Sequence, residues 1–450
     1  MNWRWQCSRM PQVRKLPSFL ETDPARMCEL LVGLVDITVL GVHRHIDQRV
    51  ELHIQTNADS SGCPLCGVVA SFKGWRVVAF SDLPTFGSPV SLHWHKRRWR
   101  CVELDCPVGS WTEVDERIAG SRLALSDRAA RWATYEVGAN GRTVSEVAAT
   151  LGCDWHTVND AVLTFGEALV NHPGRFSDVS SLGLDEHLFV KTGERRTAHF
   201  VTALVDVDKG QLLDLVPDRK GDEPKAWLRA RGEVWLSAVR SGTLDLSATY
   251  RNVFDTVLPD AELVADKFHV IRHMTMKLDE ARRRVQNETL GHRGRKNDSL
   301  YRIRRRLAMA AERLDEEGTE KLLGLLRAGD PHGHVQAAWH AKESVRELYA
   351  VEDYELAREF IDELIRDMSD STWPPEVRSM GRTLAKWREM IIAWHKLRIT
   401  NGPAEAMNNL AKRVKRVGFG FRSFRNYRVR TLLYAGKPDW SLLGTIAPLG

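Results

Sequence analysis

The sequence predicts a multidomain α+β protein, with two small modules ahead of an α/β domain that a long all-helical insertion interrupts. Three observations predict this class. The chain has 450 residues, which is more than one ordinary hydrophobic core accommodates. Short alternating strands around two cysteine pairs give way to helical periodicity, and a run of strands and loops then precedes a second helical stretch, at 270–400.

The predicted units follow these changes of pattern. They are an N-terminal segment at 1–60, a cysteine-containing β module at 61–118, a helical pair at 119–172, the first part of the α/β domain at 180–275, the helical insertion at 276–399, and a closing helix with a basic segment at 400–440.

The composition predicts a folded protein that acts inside the cell. Hydrophobic residues at 43% and charged residues at 28% are ordinary globular values. The net charge is only +6, but residues 411–430 carry eight basic side chains and no acidic one, which favours nucleic acid as a partner. We expect a cytoplasmic protein without a membrane span, because no run of about 18 apolar residues or secretory signal is present.

Four of the seven cysteines predict a structural zinc site. Cys63 and Cys66 have the two-residue spacing that lets both thiolates reach one tetrahedral ion, and Cys101 with Cys106 would supply the remaining ligands. A site closed by four thiolates leaves no open position, so the zinc-ribbon-like module would use Zn²⁺ to fold. Buried free cysteines are the alternative, and His93 and His95 are possible substitute ligands.

The strand before Cys101 reads HWHKRRWR, with aromatic residues between basic ones. Such a strand is typical of a surface that faces nucleic acid, and we expect Arg97, Arg98 and Arg100 to contact DNA. A solvated basic edge of the sheet is the alternative.

The stretch TVSEVAATLGCDWHTVNDAV predicts a helix-turn-helix. Val147 and Ala148 would pack the first helix, Gly152 would permit the tight turn, and Val158 would anchor the second helix. The residues expected to be exposed at the start of that recognition helix are Trp155, His156, Thr157 and Asn159. A helical hairpin that does not bind DNA is the alternative.

From Leu182 the chain has the element order of a ribonuclease H-like α/β domain. Three hairpin-linked strands are followed by a strand, a helix and a strand. Asp185 interrupts the first strand, Asp245 ends the fourth, and Glu405 lies in the first turn of the closing helix. If these acids converge, they would hold Mg²⁺ or Mn²⁺ as two ions suited to phosphodiester chemistry. The alternative is that they are caps or salt-bridge partners.

Four successive blocks resemble the DDE transposases of bacterial insertion sequences, specifically the ISL-three type. The blocks are LGLDEH, DLSATYRNVF, LPDAELVADKFHVIRH and TNGPAEAMNNLAKRVKRVGFGFRSFRNYRVRTLL. The resemblance extends through the cysteine module and the helical pair, so it covers most of residues 50–435.

The resemblance implies that Asp185, Asp245 and Glu405 are the catalytic, magnesium-binding triad. Asp266 is the alternative second acid, because it begins an acid-x-x-His motif with His269. The adjacency of the first and fourth strands favours Asp245, which leaves Asp266 and His269 as neighbours that position the site or the DNA. Glu186 and His187 are expected beside the metal site. The basic residues expected to bind phosphates near the scissile bond are Lys412, Arg413, Lys415, Arg416, Arg422 and Arg425.

The implied function is that of a transposase. It would bind double-stranded DNA at the terminal inverted repeats of its element and at the target, cleave and transfer strands, and assemble as a homo-oligomer on DNA. The alternatives are a DNA-binding regulator with an inactive ribonuclease H-like domain and a stand-alone metal-dependent nuclease.

Overall fold

The computed structural model describes residues 20–120 and 124–447, and it confirms the predicted mixed α+β class. The first 19 residues of the predicted N-terminal segment lie outside the described residues. The chain divides into two compact units. The first consists of Met1–Glu136 and Thr143–Val162, and the second of Val137–Arg142 and Leu163–Gly450.

The first unit is built on a sheet with the strand order β1-β2-β4-β3, and β5 pairs with β4. Its strands are β1 (Ile37–Arg44), β2 (Val50–Thr56), β3 (Ser71–Thr85), β4 (Ser88–Arg100) and β5 (Ser110–Thr112). Strands β2 and β4 are parallel, so the hairpin at 37–56 shares one sheet with the cysteine module. Alternate residues of β4, Val90, Leu92 and Trp94, are buried because one face of this sheet covers the core.

The helices of this part of the chain begin and end at clear local signals. They are α1 (Pro24–Val32), α2 (Asp127–Gly138), α3 (Val144–Leu151) and α4 (Trp155–Val170). Thr143 and Glu146 form a capping box at the start of α3. Gly152 ends α3 with a φ of 65°, a left-handed conformation that glycine adopts without a steric penalty. The predicted burial of Val147, Ala148 and Val158 is confirmed.

The second unit contains a five-stranded sheet with the order β10-β9-β6-β7-β8. The strands are β6 (Ser181–Thr192), β7 (Thr197–Asp206), β8 (Gln211–Pro217), β9 (Ser241–Leu244) and β10 (Glu262–Ala265). The first three strands are antiparallel neighbours, whereas β6, β9 and β10 run parallel to one another. The connecting helices are α5 (Asp222–Arg229), α6 (Glu233–Ala238) and α7 (Ala248–Val257).

A long helical stretch follows β10 and packs beside it. Its helices are α8 (Lys267–Leu290), α9 (Ser299–Arg302), α10 (Arg304–Ala308), α11 (Glu316–Gly329), α12 (His334–Leu348), α13 (Tyr354–Met368) and α14 (Pro375–Leu397). Helix α14 packs on both β10 and α8. One hydrophobic core runs from Leu184 in the sheet through Met274 to Ile391, so the helices and the sheet stabilise each other.

Two closing helices return the chain to the sheet. Helix α15 (Gly402–Val417) packs across β6, β7 and β8, and α16 (Phe424–Ala435) packs on α15 and β8. The Lys415 ammonium donates to the Leu188 carbonyl of β6 over 3.2 Å. The last turn of α15 therefore lies against β6, the strand that carries Asp185. No helix in the described ranges is both long and apolar enough to cross a bilayer.

Candidate functional site

Acidic side chains from distant parts of the second unit gather at one edge of its sheet. Asp185 lies within β6, and Asp245 follows β9 directly. In the parallel pair of β6 and β9, Gly183 is opposite Thr243, so Asp185 and Asp245 both lie two residues beyond the last registered pair. Parallel strands lie about 4.8 Å apart, which brings these acids to the same edge.

Asp185 is held by the closing helix. The Nδ2 atom of Asn408 donates to Asp185 Oδ2 over 2.6 Å. The Oδ1 atom of the same Asn408 lies 2.7 Å from His187 Nδ1, and His187 Nε2 lies 2.7 Å from the Tyr427 hydroxyl. A chain of hydrogen bonds thus joins β6, α15 and α16. Sequence reasoning missed Asn408, although its position one turn after Glu405 on the same helix was a usable signal.

His187 is buried as a neutral imidazole. Burial lowers its pKa to about 4 despite the hydrogen bond to Asn408, and the nearby charges of Lys412 and Lys415 lower the pKa further. A neutral imidazole has one N–H group, so it donates to one partner and accepts from the other.

Asp245 is a partly buried acid. Within the described part of the chain its Oδ1 atom has no hydrogen-bond partner. Burial raises the pKa of Asp245 to about 6, the negative charges of Glu186 and Asp185 raise it further, and His269 opposes them. Burial also raises the pKa of Asp185, although hydrogen bonds from the Glu186 backbone and Asn408 lower it.

In contrast, both carboxylate oxygens of Asp266 accept hydrogen bonds. It caps α8 by accepting the His269 backbone N–H over 3.3 Å, and it accepts the Asn401 backbone N–H over 3.0 Å. Its Oδ2 atom also lies 3.1 Å from His269 Nδ1. Burial would raise the pKa of Asp266, but the bonds from His269 and Asn401 outweigh it and leave the pKa below the usual value.

Glu405 is placed by a buried residue at the start of its helix. Asn401 is fully buried and precedes α15, and its Oδ1 atom accepts from the Thr243 hydroxyl over 3.1 Å. On the other side, His269 Nε2 lies 3.8 Å from Glu405 Oε1. The hydrogen bond that His269 donates to Asp266 raises the pKa of His269 despite burial, and the charges of Asp245 and Glu405 raise it further. Sequence reasoning also missed Asn401.

These carboxylates leave room for a cation. In the described ranges, no lysine or arginine forms a salt bridge with Asp185, Asp245 or Glu405. The three acids do not close around one point as the cysteines do, since no three of their ligand atoms lie within 4.8 Å of one another among the described residues. A buried Asp245 oxygen without a hydrogen-bond partner, and carboxylates without a lysine or arginine partner in the described residues, fit a divalent ion held by oxygen ligands.

The four predicted cysteines meet in the first unit. The ligand atoms of Cys63, Cys66, Cys101 and Cys106 all lie within 4.8 Å of one another. The Cys63 and Cys106 sulfurs are 3.6 Å apart, and the Cys66 and Cys101 sulfurs are 3.5 Å apart. This cluster supports a structural zinc ion. His93 and His95 belong to a different contact network and take no part in it.

Two predicted DNA contacts are corrected by their burial. Arg97 is only 9% exposed and donates to the Thr56 carbonyl over 2.6 Å, because β2 and β5 flank it in the sheet. Asn159 is 6% exposed, since it lies beside Val158 on the packed face of α4. Arg100, Trp155 and His156 are exposed as expected, whereas Arg98 and Thr157 are partly buried.

The basic segment of the closing helices is largely exposed. Lys412, Arg413, Arg416 and Arg422 face solvent, and Lys415 is half-buried. Arg425 is exposed but forms a two-pronged salt bridge with Glu167, at 2.5 and 2.7 Å.

Three aromatic residues of this segment differ in their surroundings. Phe419 is 96% exposed. Phe421 packs on Tyr427 and Phe424 packs on Phe189.

Comparison with known protein families gives one match over the acidic residues and another over the four cysteines. The profile of a family described as transposase, the DDE group of ISL3 elements, matches residues 182–431. A second profile, described as the zinc-finger of transposase IS204/IS1001/IS1096/IS1165, matches residues 59–106.

Two transposases are similar to this chain over most of their length. The transposase for insertion sequence element IS1001 of Bordetella parapertussis is 22% identical over 387 residues, which cover 83% of this chain and 88% of that protein. The transposase for IS1557 of Mycobacterium tuberculosis is 25% identical over 363 residues, which cover 73% of this chain and 78% of that protein.

Proposed function

Since this chain belongs to the DDE transposase family of ISL3 elements, we propose that it binds the terminal inverted repeats of an insertion sequence and catalyses DNA strand cleavage and strand transfer. The observation that carries this proposal is the meeting of Asp185, Asp245 and Glu405 at one sheet edge without a lysine or arginine partner in the described residues, with His269 3.8 Å from Glu405. Unpaired acids of this kind are costly in a folded protein unless a cation binds them.

The sheet supports a ribonuclease H-like catalytic domain. Counted along the chain from β6, its strand order is 3-2-1-4-5, with the first three strands antiparallel and the last two parallel to the first. In this assignment the helices from α8 to α14 are an insertion between the fifth strand and α15. These helices lie between Asp266 and Glu405 in the chain, and the helix that carries Glu405 packs against the sheet.

Asp185, Asp245 and Glu405 would hold the divalent ions, Mg²⁺ or Mn²⁺. When bound, such ions activate an attacking water or 3′ hydroxyl and stabilise the leaving oxygen in an in-line displacement. Two ions suit this chemistry, one at the attacking oxygen and one at the leaving oxygen, about 3.5–4 Å apart.

Asp245 is the better candidate for the second acid. Its Oδ1 atom is buried without a partner in the described residues, and its pKa is raised to about 6. Both oxygens of Asp266 already accept hydrogen bonds, and its pKa is lowered. In this proposal Asp266 and His269 position Glu405 and the start of α15.

Residues of this chain prepare the site before DNA arrives. Asn408 fixes one oxygen of Asp185 and so aims the other, and neutral His187 with Tyr427 fixes the Asn408 amide. Asn401, held by Thr243 and Asp266, fixes the first turn of α15. Rigid support of this kind keeps the carboxylates in a geometry that divalent ions accept.

The DNA would lie along the exposed basic residues of α15 and the turn after it. Lys412, Arg413, Arg416 and Arg422 would neutralise phosphates near the scissile bond. Phe419 is exposed among them and offers a ring for stacking on a base. In the first unit, Trp155 and His156 of the α3–α4 helix-turn-helix would read the repeat, with Arg100 on the backbone. A homo-oligomer on DNA is part of this proposal.

A cleavage assay tests the proposal. Purified full-length protein is incubated with labelled ends of its own element and target DNA, in Mg²⁺ or in chelator. We expect Mg²⁺-dependent 3′ hydroxyl ends and joined strands, and we expect Asp185→Ala and Glu405→Ala to abolish both while retaining end binding. The exposed Glu389→Ala variant is the matched control. Strand transfer by Asp185→Ala would refute the assigned roles, cleavage without joining would indicate a nuclease, and binding alone would indicate a regulator.

A further inference from the structure

The sheet of the first unit carries a second group of metal-binding side chains, apart from the cysteines. We propose that His43, His45 and Glu51, joined by His53, bind a divalent transition metal of the zinc class. The ligand atoms of His43, His45 and Glu51 all lie within 4.8 Å of one another. Imidazole and carboxylate ligands together suit zinc and its neighbours.

The sequence places these side chains on one face. His43 and His45 are two residues apart, as are Glu51 and His53, so each pair projects from the same side of its extended segment. In the antiparallel hairpin His43 lies directly opposite Glu51. His53 in turn lies opposite His93 of β4, which continues the same face.

The distances require only small side-chain movements. His45 Nε2 lies 2.8 Å from Glu51 Oε1, His43 Nδ1 lies 3.8 Å from Glu51 Oε2, and His53 Nε2 lies 4.0 Å from Glu51 Oε2. Zinc bonds of about 2.0–2.2 Å in a tetrahedron place ligand atoms roughly 3.4 Å apart. The side chain of His43 is 64% exposed and is therefore free to adjust.

Other groups orient these ligands in the manner usual for metal sites. His53 Nδ1 lies 3.1 Å from His95 Nε2, which leaves His53 Nε2 aimed at Glu51. Ligating histidines commonly make such a bond through the second ring nitrogen, because it fixes the tautomer and the ring. The His43 and His45 rings lie together with centroids 4.3 Å apart.

A solvated histidine face without a metal is the simpler alternative. Against it stands the position of Glu51, whose salt-bridge partners in the described residues are all imidazoles and include no lysine or arginine. A divalent ion would compensate this carboxylate and tie β1 to β2 near the turn that joins them. The site would therefore stabilise the hairpin, independently of the DNA chemistry proposed above.

Counting zinc per chain tests this inference. Full-length protein is saturated with Zn²⁺, freed of excess by gel filtration in buffer with Mg²⁺, which competes with zinc for the carboxylate site proposed above, and analysed for zinc and protein. We expect two zinc ions per chain in the wild type and in the exposed-histidine control His340→Ala. We expect one in the double variant His43→Ala/His45→Ala and one in Cys63→Ser/Cys66→Ser.

If the cysteine variant fails to fold, replacing zinc with Co²⁺ distinguishes the two sites by their absorption spectra. Thiolate ligands give Co²⁺ a charge-transfer absorption that nitrogen and oxygen ligands do not. The double histidine variant should keep that absorption in full while binding one Co²⁺ fewer than the wild type. A wild type that binds a single ion, or a histidine variant that still binds two, overturns the inference. The difference of one ion between the wild type and the double histidine variant does not involve Asp185, so a failed DNA activity would not affect this result.

Discussion

Asn408 donates from Nδ2 to Asp185 Oδ2 over 2.6 Å, a contact between residues 223 positions apart in the chain. It ties the closing helix to the first strand of the sheet at the proposed metal site. The same amide meets His187 through its oxygen, so both ends of the Asn408 side chain are fixed. In the function proposed above, this contact makes Asn408 a positioning residue.

Replacing Asn408 with alanine should reduce cleavage about 10–100-fold, the usual effect of losing a residue that orients a metal ligand. The Mg²⁺ concentration needed for half-maximal cleavage should rise, because Asp185 would no longer be held. End binding should be unchanged in a gel-shift assay. A variant with lower stability but a normal Mg²⁺ requirement would show a purely structural role. Asn252→Ala, at an exposed asparagine, is the control.

Asp245→Asn should stabilise the protein while abolishing cleavage. Because burial raises the pKa of Asp245 to about 6, its ionised form at pH 7.5 is unfavourable in the folded state. Removing that charge should raise the free energy of unfolding by about 1–3 kcal/mol in chelator, measured by urea denaturation. Mg²⁺ should stabilise the wild type but not the variant. The exposed control Asp260→Asn should change stability by less than about 0.5 kcal/mol. A destabilised Asp245→Asn would contradict the reasoning.

Asp266→Asn should keep measurable cleavage, whereas Asp245→Asn should not. Asparagine is a good helix N-cap, so α8 should still begin at Lys267. The loss of the charge beside His269 should reduce cleavage about 10–100-fold through Glu405. If Asp266→Asn lost all cleavage and Asp245→Asn kept some, Asp266 would be the second acid and Asp245 the positioning residue. Single-turnover cleavage rates at saturating Mg²⁺ decide between the two assignments.

His187 should make the protein sensitive to mild acid. Its pKa falls from an ordinary 6.5 to about 4 on folding. Between these two pH values the unfolded chain therefore binds a proton at His187 that the folded chain does not. Stability from this residue is present above pH 6.5 and is lost as the pH falls toward 4, by at most about 3 kcal/mol. Urea denaturation at pH 7.5 and 5, compared between wild type and His187→Gln, measures it. An equal loss in both proteins would exclude His187 as the source.

Phe419→Ala should weaken DNA binding without affecting the fold. The ring is 96% exposed, so its removal leaves no cavity, whereas loss of stacking on a base typically costs about 1–3 kcal/mol. The dissociation constant for single-stranded or nicked repeat ends should therefore rise about 5–150-fold. Phe424→Ala offers the opposite pattern, since Phe424 packs on Phe189 and its loss should lower stability. Unchanged binding by Phe419→Ala would remove stacking from the proposal.

Patterns within short stretches of sequence predicted much of the local structure. The helix at 144–151, its end at Gly152, and the entry to α15 beside Gly402 follow from caps and backbone preferences that act over a few residues. The spacing of Cys63 and Cys66 anticipated their metal cluster for the same reason. Exposure was predicted less well, because Arg97 is covered by strands whose position no local pattern reveals.

By itself, the sequence determined the candidate residues for metal and DNA binding, since acids, cysteines and basic runs are visible in any unfolded chain. Only the tertiary structure decided that Asn401 and Asn408 position two of the acids, that Asp245 lacks a partner in the described residues while Asp266 has several, and that Glu51 faces three histidines. These relationships depend on contacts across 100 residues or more, or on strand register. Packing creates both, and neither is written in the spacing of residues along the chain.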